Sequence, residues 1–187
     1  MADQAREGLL SPYLCRRRLA AARPHLRGHV LDFGCGGGSL ARFVPPERYT
    51  GVDVDAESLR KARANYPAHV FFPEAPPPDK RFDTIVMLAV IEHLDDPAAT
   101  LRDLAQRMTD DPAARLILTT PHPATGLVHT LGASVGLFSR HASEEHDELL
   151  GRRALRSLGA AAGLRLASYG RFLCGANQLA VFSRLRN

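Results

Sequence analysis

The sequence contains no tryptophan and three cysteines, and only Lys61 and Lys80 among its 24 basic residues are lysines. Cys15, Cys35 and Cys174 are far apart and odd in number, which argues against a disulfide framework. No Cys-x-x-Cys pair suggests zinc, and this cysteine usage fits a reducing compartment. No apolar run approaches the roughly 18 residues of a membrane span. Met1 to Leu10 lacks the apolar core of a signal peptide, so a cytoplasmic protein without a transmembrane segment is expected. Aromatics are 6% of the chain and do not interleave with basic residues, so no specific nucleic-acid partner is expected. What is present is globular: 45% hydrophobic and 24% charged over 187 residues. That length suits one domain, 1–187, with a core of its own. The net charge of +4 is uneven: residues 1–28 hold six arginines and two acids, residues 151–187 seven arginines and no acid. Both termini read as solvated basic faces, with peripheral contact to an anionic membrane surface left open.

Strand and helix signals alternate. Residues 12–22, with Pro12 in the first turn, predict a helix. His29–Asp32, Tyr49–Asp53, His69–Phe72, Phe82–Met87 and Arg115–Thr119 predict strands. Between them lie a short helix over Ser39–Val44, stopped by Pro45-Pro46, and a helix capped by Asp55 and running to Asn65. Another opens at Asp96-Pro97 and runs to Met108. Residues 146–162 predict a helix ended by Gly163. Leu164–Arg171 and Gln178–Arg184 predict a closing antiparallel pair. The result is an α/β fold with a doubly wound, mostly parallel seven-stranded sheet, whose ligand sits at the carboxyl ends of the strands.

The strongest local signal is Val30-Leu-Asp-Phe-Gly-Cys-Gly-Gly-Gly-Ser-Leu40. A strand runs into four glycines in five residues, where a ligand can lie against bare backbone. Asp53 ends the next strand, the place for a carboxylate that accepts from a ribose diol. Gly36-x-Gly38-x-x-Ala41 also fits a dinucleotide fingerprint, a weak match alone. Asp32 argues against that reading, because a carboxylate at the turn repels a pyrophosphate. S-adenosylmethionine (SAM), with an ammonium, a sulfonium, a ribose and no phosphate, suits it better.

Leu31-Asp-x-Gly-Cys-Gly-x-Gly38 resembles the first motif of the class I SAM-dependent methyltransferases, of the small methyltransferase-11 or ubiquinone-methyltransferase-like kind. Gly51-Val-Asp-Val-Asp55, Phe82-Asp-Thr-Ile-Val86 with Val90-Ile-Glu-His-Leu-Asp-Asp-Pro97, and Leu116-Ile-Leu-Thr-Thr-Pro121 resemble three further motifs in order. The resemblance covers residues 12–187 and implies a Rossmann-like fold and methyl transfer from SAM, leaving S-adenosyl-L-homocysteine (SAH). It implies that Gly34, Cys35 and Gly36 hold the methionine part through the backbone, with Asp32 close to the ammonium. Asp53 then binds the ribose, Val54 flanks the adenine, and Leu88 and Ala89 line the methionine side. Where the family often has Gly-Asp after the third strand, this sequence has Phe72-Pro-Glu-Ala75, so Glu74 is the acid available to the adenine amine. His93 is either a structural cap or a substrate contact.

Residues 122–148 fall on the catalytic rim. Val128, Leu131, Val135 and Phe138 recur at helical spacing, weakened by Gly132 and Gly136. They read either as a helix packed on the domain or as a lid over a small-molecule acceptor. His122 and His146 are the candidate general bases, since imidazole titrates near neutral pH. His122, His141, Glu144, Glu145 and His146 show no recognised metal spacing, so no metal is expected. Two other readings stay open: a SAM-binding scaffold or partner subunit without turnover, and an NAD-dependent dehydrogenase.

Overall fold

The computed structural model describes residues 11–123 and 150–185. Its strands are β1 (Val30–Phe33), β2 (Tyr49–Val52), β3 (Val70–Phe72), β4 (Thr84–Leu88), β5 (Arg115–Pro121), β6 (Leu164–Phe172) and β7 (Asn177–Arg184). Its helices are α1 (Ser11–Ala22), α2 (Ala56–Asn65), α3 (Pro97–Gln106) and α4 (Arg152–Ala161). One sheet takes the order β3-β2-β1-β4-β5-β7-β6. β1 to β5 pair in parallel, and β7 runs antiparallel between β5 and β6. The expected α/β class, seven strands and closing antiparallel pair are all present.

Side-chain alternation explains the two layers of helix. Successive strand residues face opposite sides of a sheet. Ile85 and Met87 of β4, Leu116 and Leu118 of β5 and Phe182 of β7 share one buried cluster with Leu101 and Leu104 of α3 and Leu155 of α4. The residues between them, Val86, Ile117 and Val181, join Leu19 and Ala22 of α1 and Leu59 and Ala62 of α2 on the other face. A sheet apolar on both faces needs helices on both faces, hence the double winding. Strand order reverses between β1 and β4, which opens the crevice at their carboxyl ends.

Helix starts follow the predicted caps. Asp55 accepts from the Ser58 N–H at 3.0 Å, and Asp96 accepts from the Ala99 N–H at 2.8 Å. Two expectations need correction. The helix expected over Ser39–Val44 is only a 3-10 turn over Ala41–Phe43. The glycine turn still occupies Gly38, whose carbonyl accepts from Ala41 N–H, and Pro45-Pro46 follow too soon for a helix to develop. The fourth strand begins at Thr84 and not at Phe82, which makes an isolated bridge to Met108. Asp83 between them is a tie: its carboxylate accepts from the His29 N–H at 2.8 Å and the Thr109 hydroxyl at 3.0 Å. The helix expected over 146–162 is described from Arg152 onward, and residues 146–149 lie outside the described residues.

Candidate functional site

The glycine turn leaves β1 at the reversal of strand order. Gly34 has φ +75° and Gly36 φ +51°, values that L side chains rarely adopt. The two positions differ in their surroundings. A Cβ on Gly34 would collide with the Val90 side chain, so Gly34 is needed for packing. A Cβ on Gly36 or Gly37 would meet nothing within 4 Å, so the open side of the turn is here. The turn is stitched to β2: Gly34 and Cys35 N–H both donate to the Val52 carbonyl, at 2.8 and 2.9 Å. Gly36 N–H donates to Asp53 Oδ2 at 2.7 Å, and Asp55 N–H donates to Asp53 Oδ1 at 2.9 Å. Each carboxylate oxygen keeps a second lone pair for a ligand hydroxyl.

Asp32 lies under this turn with 3% of its surface exposed. The Tyr49 hydroxyl donates to its Oδ2 at 2.7 Å, and the Tyr49 ring is held edge-on by His69 and Phe71. Burial pushes the Asp32 carboxyl up to about 7, opposed by the Tyr49 hydrogen bond and reinforced by the charge of Asp53. Burial, followed by the charges of Asp32 and Asp53, also raises the Cys35 thiol, so it is no nucleophile. The Cys35 backbone N–H is engaged by the Val52 carbonyl, and its side chain is buried in the core.

Val54 is 91% exposed beside Asp53 and offers an apolar shelf. Glu74 is exposed in the loop after β3. Leu88 ends β4, and Ala89 turns away from it at φ +57° with its N–H on the Thr119 carbonyl at 2.8 Å. A left-handed alanine is a strained backbone position of the kind that clusters at ligand sites. His93 is not a helix cap: its side chain is exposed and Asp96 caps α3. His122 follows β5, buried, with its N–H on the Ala176 carbonyl at 2.9 Å. Burial and the nearby Arg171 lower its pKa, which favours the neutral imidazole. His146, the metal-type residues His141, Glu144 and Glu145, and all of the lid segment beyond Pro123 lie outside the described residues.

These residues fit SAM. The bare backbone at Gly36 and Gly37 leaves space that a side chain would fill. The donor set around it is two carboxylates, which attract an ammonium and accept from hydroxyls. The missing helix after the turn removes the N-terminal dipole that a pyrophosphate needs. Sequence reasoning missed Tyr49 and Arg18, polar residues that carry no motif of their own, and took Thr120 only as part of the fifth-strand motif.

Comparison with known proteins identifies the family and the fold. A family model described as a methyltransferase domain matches residues 6–169. The ubiquinone biosynthesis O-methyltransferase of Aeromonas salmonicida (strain A449) is 27% identical over 149 residues, covering 72% of this chain and 62% of that protein. An uncharacterised methyltransferase of Mycobacterium tuberculosis (strain ATCC 25618 / H37Rv) is 34% identical over 123 residues, covering 59% of this chain and 61% of that protein. The chain thus spans less than two thirds of the length of these relatives. Among solved structures, magnesium protoporphyrin IX methyltransferase from Synechocystis PCC 6803 with bound SAH superposes with a TM-score of 0.63. It is 21% identical, with 93% of this chain and 83% of that chain covered, and shares the fold.

Proposed function

Because the chain belongs to the class I SAM-dependent methyltransferase family, we propose that it transfers a methyl group from SAM to a small-molecule acceptor. The observation that carries this reading is the open glycine turn at Gly36–Gly37, flanked by the carboxylates of Asp32 and Asp53. Gly34, Cys35 and Gly36 hold the methionine portion through backbone, with Leu88 and Ala89 across from them. Asp32 faces the ammonium, Asp53 the ribose diol, Val54 and Glu74 the adenine. SAM, when bound, supplies an electrophilic methyl group on a sulfonium. The protein's share is then to place the acceptor in line and exclude water.

An acceptor hydroxyl must also lose a proton. His122 is the candidate base, buried and kept neutral at the acceptor edge of the sheet; His146 is the second. Residues 1–187 act as one domain in which 122–148 select the acceptor. Among the described residues no helix is long and apolar enough to cross a membrane. The free Cys15, Cys35 and Cys174 fit a cytoplasmic setting.

Calorimetric titration with SAM, SAH and NAD tests the core of the proposal. SAM and SAH should bind and NAD should not; the opposite result ends the reading. A methyl-transfer screen on small acceptors then separates an enzyme from a scaffold. With an acceptor in hand, His122→Ala should slow turnover without weakening SAM. Unchanged turnover removes it as the base.

A further inference from the structure

The carboxyl ends of β4 and β5 carry polar groups that the fold leaves unanswered. Glu92 sits in the short turn Ile91–His93 after β4. Its Oε2 atom is buried and has no hydrogen-bond partner. Thr120, at the end of β5, also has a buried hydroxyl with no closed hydrogen bond; it is directed at the Glu92 carboxyl and favours its charged form. From α1, Arg18 reaches the same edge. Its Nε donates to Asn177 Oδ1 at 3.2 Å, at the start of β7. Arg18 and Glu92 attract one another, yet no ion pair closes between them.

This arrangement is costly for a purely structural role. Buried polar groups in folded proteins are nearly always hydrogen-bonded, and the exceptions concentrate at functional sites. Arg18 and Glu92 are half-buried, and a charge drawn partly out of water without a closed partner adds to that cost. Burial is the largest influence on both groups, raising the Glu92 carboxyl and lowering the Arg18 guanidinium. Both are being penalised for leaving water, and neither is fully compensated by the other. The three side chains come from separate elements, α1, the β4 turn and β5, and converge at the end of the sheet where ligands bind.

We propose that Arg18, Glu92 and Thr120 form the polar end of the acceptor site and recognise a hydroxyl group of a neutral acceptor. The hydroxyl donates to Glu92 Oε2 and accepts from the Arg18 guanidinium or the Thr120 hydroxyl. Glu92 Oε2 and one of the two donors beside it then gain a partner. A carboxylate or phosphate in that place is rejected by Glu92, so the pair selects against anionic acceptors. A hydroxyl uses both a donor and an acceptor, whereas its methyl ether can only accept. The site therefore also distinguishes an acceptor from its methylated form, if the recognised hydroxyl is the one modified. This inference rests on the methyltransferase reading and assigns the substrate class of that same site.

The test uses the whole protein saturated with SAH. Catechol and cis-1,2-cyclohexanediol are the probes, one phenolic and one aliphatic, each paired with its dimethyl ether, and binding is followed by titration. At least one diol should bind about tenfold more tightly than its ether. Glu92→Gln and Arg18→Met should remove that preference while SAH affinity stays within twofold. A second readout needs no acceptor. If these half-buried charges are kept for a ligand, Glu92→Gln should hold or raise the melting temperature of the free protein. The inference is overturned if neither diol is preferred over its ether, or if the variants keep the preference. It is overturned equally if Glu92→Gln lowers the melting temperature by several degrees, because Glu92 is then structural. Loss of SAH binding in the unaltered protein overturns the methyltransferase reading itself, and this inference with it. Intact SAH binding with no diol preference overturns only the inference.

Discussion

The two ends of the crevice are built on opposite plans. At the β1–β2 end, the polar groups are already engaged by the chain. Asp53 spans the Gly36 and Asp55 N–H groups, and Asp32 holds the Tyr49 hydroxyl. At the β4–β5 end, Glu92 Oε2 and the hydroxyls of Thr119 and Thr120 are buried and unanswered. A prebuilt site loses little order on binding and suits a ligand that is the same in every turnover. An unsatisfied site gains its hydrogen bonds only when its ligand arrives, so it discriminates strongly against molecules that cannot supply them. The first plan fits a common cofactor and the second a particular acceptor.

The largest break in that comparison should come from Gly36→Val. A Cβ at this position meets no protein atom within 4 Å, so the fold should survive. The left-handed backbone imposes a penalty of about 1–2 kcal/mol on stability. The added carbons fill the space assigned to SAM, and affinity should fall at least ~100-fold, about 2.7 kcal/mol. Titration together with thermal melting separates the two effects. A folded variant with normal SAM affinity means that the open side of the turn is not the binding side.

Asp53→Ala should come next. It deletes the acceptor assigned to the ribose diol and frees the N–H groups of Gly36 and Asp55. Loss of a charged acceptor predicts SAM binding weaker by about 1.5–3 kcal/mol. Asp53→Asn, which keeps one acceptor oxygen, should fall between the alanine variant and the native protein. If titration ranks asparagine with alanine, the carboxylate charge matters and the hydrogen-bond count does not.

The difference between the two ends also sets what could be read from the sequence. The glycines, Asp53 and the buried strands announce themselves because bare backbone and period-two apolar runs have few other uses. The Ser39–Val44 segment misled because its local pattern allows a helix, whereas the turn before it and the prolines after it leave room for one 3-10 turn. Arg18 was legible only as one more arginine in a basic stretch. Its meaning depends on α1 packing across the sheet so that it meets Glu92, 74 positions later in the chain, and Asn177. Tyr49 is similar: in sequence it is a strand aromatic, and only the β1–β2 register puts its hydroxyl on Asp32. Contacts between elements without a shared motif are tertiary facts, and periodicity cannot supply them.

The finest test concerns Asp32, the one engaged group whose ionisation is still in balance. Its carboxyl is raised to about 7 by burial, with Asp53 adding repulsion and the Tyr49 hydroxyl opposing; Cys35 is a further neighbour sensitive to its charge. An acid raised in the folded state binds its proton more tightly there than in the unfolded chain. Its stabilising contribution is therefore complete below the ordinary carboxylate range and is lost as pH rises toward about 7. Asp32→Asn should accordingly stabilise the free protein by about 1–3 kcal/mol at pH 8, and by less at pH 5. SAM binding should run the other way, because its ammonium favours the ionised carboxylate. Native affinity should rise from pH 5.5 to 7.5 with release of a proton on binding, and Asp32→Asn should flatten that rise. Tyr49→Phe removes the donor that favours the charged form and should move the rise upward by about 1–2 pH units, the equivalent of one hydrogen bond to a charged group. Calorimetry in buffers of different ionisation enthalpy reads the proton directly. If affinity is flat across this range in the native protein, Asp32 supports the turn without sensing the ligand, and the prebuilt end of the crevice owes its affinity to Asp53 and the backbone alone.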